Sequence, residues 1–321
     1  MNVERMDEAH LEAILYLWNG ELAETFPMRR RLLQQNIAED RNWLREGSWV
    51  ALEEGTKRVI GFVVAKIARE DAVRAGIPQG LGWIQAHLVD RAYRGRGVGR
   101  ALLFRAEAAL REAGAKRIQL GNDLHSRIFP GIPDEFGDAR AWYERQGYAY
   151  QETVHDLLHA YAAEEEVPLP AAAGAAFRVA EPADREALLA FMARCFPGAW
   201  TYQHRDYWAR GGTGREFVLL EQGGAIVGFC RMNDSASPLL AQNVYWAPLF
   251  DGELGGIGPL GIDESCRGLK YGISIVQAAI HYLRERGVRR IVIDTTPFVD
   301  FYGKLGYRTW KSYAKYAKVL E

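Results

Sequence analysis

The sequence predicts an α/β (α+β) protein built from one unit written twice. Two observations carry this. In the first half a strand, a second strand, a glycine-rich turn, a helix and a third strand follow one another, and the same order returns in the second half. Short words also recur at matching places: Ile60-Gly61-Phe62 answers Val227-Gly228-Phe229, and Val89-Asp90 before Arg94 answers Ile262-Asp263 before Arg267. Trp142-Tyr143-Glu144-Arg145-Gln146-Gly147-Tyr148 likewise answers Phe301-Tyr302-Gly303-Lys304-Leu305-Gly306-Tyr307.

The elements follow from hydrophobic pattern and punctuation. In the first copy, apolar runs at Val59–Ile67 and Trp83–Val89 read as strands, Val98–Ala113 as an amphipathic helix stopped by Gly114, and Arg117–Leu120 as the next strand. The second copy repeats them at Ala225–Met232, Ile257–Ile262, a turn at Arg267-Gly268, a helix Gly272–Glu285 stopped by Gly287, and Arg289–Asp294. Between the copies, Ala160–Ala176 holds Glu164-Glu165-Glu166, Pro168, Pro170 and an Ala/Gly run without amphipathic period, which reads as an exposed linker. The expected domains are 1–160 and 177–321, joined by a linker at 161–176.

Composition narrows the function classes. The chain has 321 residues, 48% hydrophobic and 25% charged, enough for two cores. Forty basic and forty-one acidic side chains leave a net charge of -1, so no global field draws the protein to nucleic acid or an anionic membrane. Cys195, Cys230 and Cys266 show neither metal-site nor disulfide spacing, so no metal is expected and the compartment reads as reducing. The polar start Met1-Asn2-Val3-Glu4-Arg5 shows no signal peptide and no apolar run is long enough for a transmembrane helix, so a cytoplasmic protein is expected.

The chemistry concentrates in Arg94-Gly95-Arg96-Gly97-Val98-Gly99, where a strand turns into a helix. Small residues there let backbone N–H groups approach a pyrophosphate that also meets the positive end of the helix, and Arg94, Arg96 and Arg100 add charge. The even glycine spacing fits neither the G-x-G-x-x-G dinucleotide fingerprint nor a Walker loop. The second copy reads Arg267-Gly268-Leu269-Lys270-Tyr271-Gly272, with Lys270 in place of Gly97. Its stem either obstructs backbone approach or its ammonium binds a phosphate as a point charge.

With these motifs the chain resembles the GNAT superfamily of acyl-CoA N-acyltransferases. The motif Arg/Gln-x-x-Gly-x-Gly/Ala is matched by Arg94, Gly97 and Gly99, and the later Tyr-x-x-x-Gly-Tyr/Phe element by Tyr143 and Gly147-Tyr148. Arg267, Gly272, Tyr302 and Gly306-Tyr307 match in the second copy, so the resemblance spans both halves. Phe129-Pro130-Gly131-Ile132-Pro133 and Gly258-Pro259-Leu260-Gly261-Ile262 are similar to segments of a group of bacterial tandem-GNAT proteins, some of whose members acetylate glucosamine or glucosaminides.

The resemblance implies two tandem GNAT-like domains, each a mixed twisted sheet with a splayed central strand pair flanked by helices. It implies acetyl-CoA as acyl donor and the primary amine of a small molecule, an amino sugar by preference, as acceptor. Backbone near Leu88 and Val89, and near Gly261 and Ile262 in the second copy, would bind the pantetheine arm and polarise the thioester carbonyl. The pyrophosphate would lie on Arg94 to Arg100, with Asn122 alongside, and in the second copy on Arg267, Gly268, Lys270 and Gly272. Tyr143, or Tyr302, would protonate the departing sulfur, since a phenol with an ordinary pKa of about 10 is protonated at neutral pH while a thiol has about 8.5.

The base is expected to act through water and to be one of His87, Asp123 or His125. His87 precedes the loop, and the other two follow the next strand, in a connection that is longer in the first copy: Arg94 to Tyr143 spans 49 positions against 35 from Arg267 to Tyr302. Those extra residues either wall an acceptor pocket or pack as a surface loop. Glu21 and Glu24 are candidates to hold an acceptor ammonium, and Trp18, Trp200 and Trp208 to stack on a sugar ring or pack in a core. Two other classes compete: an acyl-CoA-binding sensor or scaffold, motivated by Lys270, and a protein N-acetyltransferase. A tandem chain carries its own domain interface, so a monomer with the two domains packed together is expected.

Overall fold

The computed structural model describes residues 1–124 and 126–320. Contacts divide them into two compact units, residues 1–154 with 311–321, and residues 155–310.

Unit 1 contains β1 (Asn2–Arg5), α1 (Leu11–Leu22), α2 (Arg30–Leu33), β2 (Trp49–Leu52), β3 (Val59–Ile67), α3 (Glu70–Arg74), β4 (Leu81–Val89), α4 (Val98–Glu112), β5 (Arg117–Leu120), β6 (Ile132–Pro133), α5 (Gly137–Glu144) and the start of β7 (Ala149–Ala160). Strands β1 to β4 pair antiparallel in sequence order, and β5 joins β4 in parallel. The parallel pair requires a crossover, and α4 supplies it. Its buried residues Val98, Leu102, Leu103, Ala106 and Leu110 recur at helical spacing and pack on Ile60, Val63 and Ile84. Burial of each such leucine stabilises by about 2 kcal/mol.

Unit 2 contains β8 (Ala176–Val179), α6 (Arg185–Cys195), α7 (Ala199–Ala209), β9 (Phe217–Gln222), β10 (Ala225–Asn233), β11 (Leu254–Ile262), α8 (Tyr271–Glu285), β12 (Arg290–Thr296) and α9 (Val299–Gly303). Its plan is the same: β8 to β11 antiparallel, β12 parallel to β11, and α8 as the crossover, burying Ile275, Val276, Ala279 and Leu283. On the other face α6 and α7 cover Phe217, Leu219 and Phe229.

The repeats and the compact units are not the same division, because each repeat lends its final strand. Residues 155–160 of β7 pair with β12 in unit 2, from Thr296↔His155 to Arg290↔Ala160. Strand β13 (Arg308–Val319) closes the second repeat, yet its residues 317–319 pair with β5 in unit 1. Each strand is 12 residues long, roughly 40 Å at the usual rise, so one strand reaches beyond one short partner.

The expected linker is exposed but fastened. Arg284 Nη2 donates to the carbonyls of Ala162, Ala163 and Glu165 at 2.7, 3.1 and 2.9 Å, His281 Nδ1 lies 2.7 Å from the Val167 carbonyl, and the Tyr271 hydroxyl donates to Ala173 at 2.8 Å. An irregular segment has no ladder to satisfy its carbonyls, and the polar side chains of α8 do so here. No helix among the described residues is long and apolar enough to cross a membrane.

Candidate acetyl-transfer site

In unit 1 the β4–β5 pairing ends at Ile84↔Leu120, while β4 continues to Val89 paired with β3 alone, through Gly61↔Val89. A bulge falls where Val64↔Ala86 is followed by Ala65↔Ile84, which leaves Gln85 as the extra residue. Beyond Ile84 one edge of β4 therefore has no ladder partner on β5. Leu88 and Val89, both half-buried, lie in this open stretch, as the resemblance implies. Asn122 lies just past the opening in a left-handed turn, φ +53°, its N–H bonded to the Phe129 carbonyl at 2.8 Å.

The loop after β4 is held open by local geometry. The Asp90 carboxylate accepts from Ala92 N–H at 2.9 Å, Gly95 has φ +73°, and Gly97, at φ +84° and ψ -4°, caps α4. A Cβ at Gly95 or Gly97 would meet no atom within 4 Å, so glycine serves the left-handed backbone here, not tight packing. The N-terminal N–H groups of the 15-residue α4 have no carbonyl of their own turn to bond and face the loop. The Val98 side chain goes into the core, leaving its backbone to the loop. Arg94 donates to the Val89 carbonyl at 3.0 Å and to Glu21 at 2.6 Å, the Arg96 guanidinium lies over Tyr93, and Arg100 is exposed.

The second loop keeps the same backbone. Lys270 stands at φ +62° and ψ +11°, left-handed like Gly97, with its side chain in solvent. Arg267 and Gly268 precede it, Gly268 at φ +87°, and Gly272 follows on α8 beneath Phe301. The β11–β12 pairing ends at Ile257↔Ile293, so β11 opens through Gly261 and Ile262 as β4 does.

The sequence candidates separate into two groups in unit 1. His87 Nδ1 lies 2.8 Å from the Tyr143 hydroxyl. Burial pushes His87 down to about 4, opposed by the Gly99 backbone, so the ring is neutral at pH 7. Burial, then the nearby Glu107 charge, pushes the Tyr143 phenol well above its ordinary value, so it is protonated. Trp142 and Tyr148 pack edge-on against Tyr143, and the Tyr148 hydroxyl donates to Glu107 at 2.9 Å.

Asp123 is not brought to this pair. It accepts from Lys66 Nζ at 2.6 Å, as Asp40 does at 2.6 Å, in a cluster where Lys66 is 0% exposed and Asp123 1%. Burial pushes Asp123 up and Lys66 opposes it. For Lys66 burial acts downward, but Asp123 and Asp40 together outweigh it and hold the ammonium charged. Gln85 joins them, donating to the carbonyls of Asn36 and Ser126 at 2.9 and 2.6 Å. A carboxylate locked to a buried ammonium is a structural partner, and a base role is not assigned to it. His125 lies outside the described residues.

Tyr302 is buried and held protonated by burial, with Cys230 and Asp294 nearby, but its hydroxyl has no hydrogen-bond partner among the described residues. Leu260 stands two residues before Ile262, where His87 stands before Val89. The acceptor candidates also move. Glu21 is bonded to Arg91 and Arg94, and the long connection packs inward, Phe129 stacking on Trp18 and meeting Phe26 edge-on. Trp18 is a core residue that donates to the Phe26 carbonyl, and Trp200 packs on Phe196 and Phe229. Trp208 packs edge-on against Tyr207, and its buried indole N–H has no partner among the described residues. Sequence reasoning missed the Lys66 cluster. An isolated lysine inside the apolar run Val59–Ile67 was its one visible sign.

Two splayed strand pairs, each followed by a glycine-bearing loop and a buried tyrosine, mark an acyltransferase of duplicated architecture. The chain belongs to the acetyltransferase (GNAT) family, whose pattern matches residues 11–130 and again 185–307. It is an acetyltransferase by that membership. It is 28% identical over 245 residues to the mycothiol acetyltransferase of Thermobispora bispora, covering 70% of this chain and 72% of that one. It is 27% identical over 289 residues to the mycothiol acetyltransferase of Thermomonospora curvata, covering 82% and 83%. Among solved structures, the glucosamine N-acetyltransferase region of a fungal multi-domain β-N-acetylglucosaminidase superimposes with a TM-score of 0.86 at 25% identity, covering 98% of this chain and 38% of that longer chain. A tandem GNAT protein of the clavulanic acid biosynthesis pathway superimposes with a TM-score of 0.68 at 16% identity, over 99% and 98% of the two chains.

Proposed function

We propose that unit 1 transfers the acetyl group of acetyl-CoA to the primary amine of a small molecule, with amino sugars as the acceptor class. The observation that carries this reading is the 2.8 Å contact between His87 Nδ1 and the Tyr143 hydroxyl, found in unit 1 and without a counterpart at Leu260 and Tyr302. The likeness to a glucosamine N-acetyltransferase region supports the acceptor class.

The residues present fit the cofactor, because the loop glycines open onto free space at the start of a long helix. The N–H groups of Gly95 to Gly99, with Arg94, Arg96 and Arg100, would hold the pyrophosphate, and the backbone of Leu88 and Val89 the pantetheine arm. When bound, acetyl-CoA supplies an activated acyl group whose sulfur leaves as a thiolate. Tyr143 holds the proton that the sulfur needs, and the proton that the amine sheds as the amide bond forms passes through water to restore the phenol. Its raised pKa makes it a weak acid, and the neutral His87 offsets this by donating Nδ1–H to the phenol oxygen as the proton departs.

Initial rates with acetyl-CoA and a panel of amines including glucosamine test the reading. Tyr143→Phe is expected to lower kcat by about 10²- to 10⁴-fold with acetyl-CoA binding retained, and Tyr302→Phe to leave it nearly unchanged. The reverse pattern would move the chemistry to unit 2. Turnover of no amine at all would favour an acyl-CoA sensor, and equal turnover of all amines would remove the amino-sugar assignment. Sedimentation at low concentration tests the proposed monomer.

A further inference from the structure

Unit 2 contains a buried charge that acetyl transfer in unit 1 does not use. Arg231, on β10, is 5% exposed, and its guanidinium lies over the rings of Tyr207 and Phe217, at 5.5 and 5.9 Å. A buried guanidinium ordinarily has a carboxylate against it. This one forms no ion pair or side-chain hydrogen bond among the described residues, and its Nε is shut off from solvent without an acceptor.

The acidic groups around it are engaged elsewhere. Glu216 accepts from the Tyr207 hydroxyl at 2.5 Å and pairs with Arg215 at 3.3 Å. Asp234 pairs with Arg215 and Arg286 at 2.7 and 3.3 Å. Asp294 accepts from Asn243 Nδ2 at 2.8 Å and from the Thr295 hydroxyl at 3.2 Å. Glu216, Tyr207, Asp294 and Tyr245 are the titratable groups that act on Arg231.

Two amides share the feature. Asn233, two positions along β10 and 0% exposed, has neither its amide nitrogen nor its oxygen bonded among the described residues, and Asn243, 2% exposed, has an unbonded Oδ1. They adjoin. Asn233 faces Gly256 across the β10–β11 pair, and a Cβ at Gly256 would come within 2.1 Å of Asn243 Cγ. Asn243 in turn reaches Asp294, the first residue past the last β11–β12 pair, so the group lies at the opening of those strands.

We propose that Arg231, Asn233 and Asn243 form a binding site in unit 2 for a small hydroxylated carboxylate. The planar guanidinium matches the two oxygens of a carboxylate, and the amides offer the donor and acceptors that hydroxyls require. Glu216 and Asp294 act on the same group, which favours a singly charged carboxylate over a phosphate dianion.

Calorimetric titration of the full chain with D-gluconate, glucose 6-phosphate and inorganic phosphate tests this. D-gluconate is expected to bind wild type saturably and to lose at least tenfold in affinity in both Arg231→Met and Asn233→Leu. Because Arg231→Met removes a buried charge that has no ion pair among the described residues, its thermal midpoint without ligand is expected at or above that of wild type, and its acetyl-CoA binding is expected unchanged. A midpoint far below wild type would overturn the proposal by showing a structural pairing for Arg231. Undetectable D-gluconate binding, or equal binding by wild type and both variants, would also overturn it, as would binding of glucose 6-phosphate alone. Phosphate bound equally by wild type and Arg231→Met identifies the glycine loops as its site and supports the carboxylate preference. Amine turnover, read separately through Tyr143→Phe, keeps the unit 1 reading distinguishable from this one.

Discussion

Copying the second loop into the first, by Gly97→Lys, separates backbone strain from ligand exclusion. Gly97 and Lys270 share the left-handed region, at φ +84° and +62°, and a Cβ at Gly97 meets no atom within 4 Å. The substitution therefore costs left-handed strain, roughly 1–2 kcal/mol for a residue bearing a Cβ. The added ammonium at the positive N-terminal end of α4 costs a further amount of about 0.3–1 kcal/mol in the free protein, and the negative charge of a bound pyrophosphate offsets it. The urea midpoint is expected to fall, and the acetyl-CoA Kd measured by calorimetry to change by less than about fivefold. Loss of more than tenfold in affinity, about 1.4 kcal/mol, would refute the reasoning. The phosphates would then need a bare backbone at this position, and Lys270 would obstruct them in the second loop.

His87 gives a pH signature. Its folded value of about 4 lies below the roughly 6.5 of an unfolded chain, so between these values the unfolded chain binds a proton that the folded one does not. Stability should fall as pH drops from 6.5 to 4, by about 3 kcal/mol in full, and His87→Gln should remove that slope in denaturation curves. An unchanged slope would refute the assignment. Lys66→Met leaves Asp40 and Asp123 buried without their cation and should destabilise by about 3–5 kcal/mol, with part recovered on adding Asp123→Asn; a midpoint near wild type would refute the cluster. Glu21→Gln frees Arg94 from a partly exposed pair worth about 0.2–1 kcal/mol, so acetyl-CoA should bind up to fivefold more tightly by calorimetry. Weaker binding would show that Glu21 holds Arg94 in its binding position.

The elements were legible where a pattern is local and repeated. Strand Val59–Ile67 is observed residue for residue, and the helix read as Val98–Ala113 runs Val98–Glu112, because apolar period and the stop at Gly114 both lie within the segment. The loop was legible for the same reason, since Arg94, Gly97 and Gly99 sit within six residues. Distance hid the rest. Asp40, Lys66 and Asp123 lie 26 and 57 positions apart, and no spacing rule joins three such residues. The exchange of β7 and β13 was equally hidden, because either strand suits either edge and pairing partner is decided by tertiary context. Lys270 left two readings open, obstruction or a phosphate-binding ammonium, because a sequence shows a side chain but not its φ.

The two copies part company at matched positions, which makes the division of roles a matter of chemistry. Lys66 faces Trp83 across β3–β4 just as Asn233 faces Gly256 across β10–β11. In unit 1 that position carries a charge paired with both Asp40 and Asp123. In unit 2 it carries an amide met by no group among the described residues, next to Asn243 and two residues from an unpaired arginine. The tyrosines diverge in the opposite sense. Tyr143 has a histidine 2.8 Å from its hydroxyl, whereas the matching place in unit 2 holds Leu260, whose side chain can offer no hydrogen bond. Buried polar groups are costly unless matched, so the unbonded amides beside Arg231 set this position of unit 2 apart from the ion-paired Lys66 of unit 1. The proposed division of roles, proton transfer in unit 1 and binding in unit 2, follows these differences.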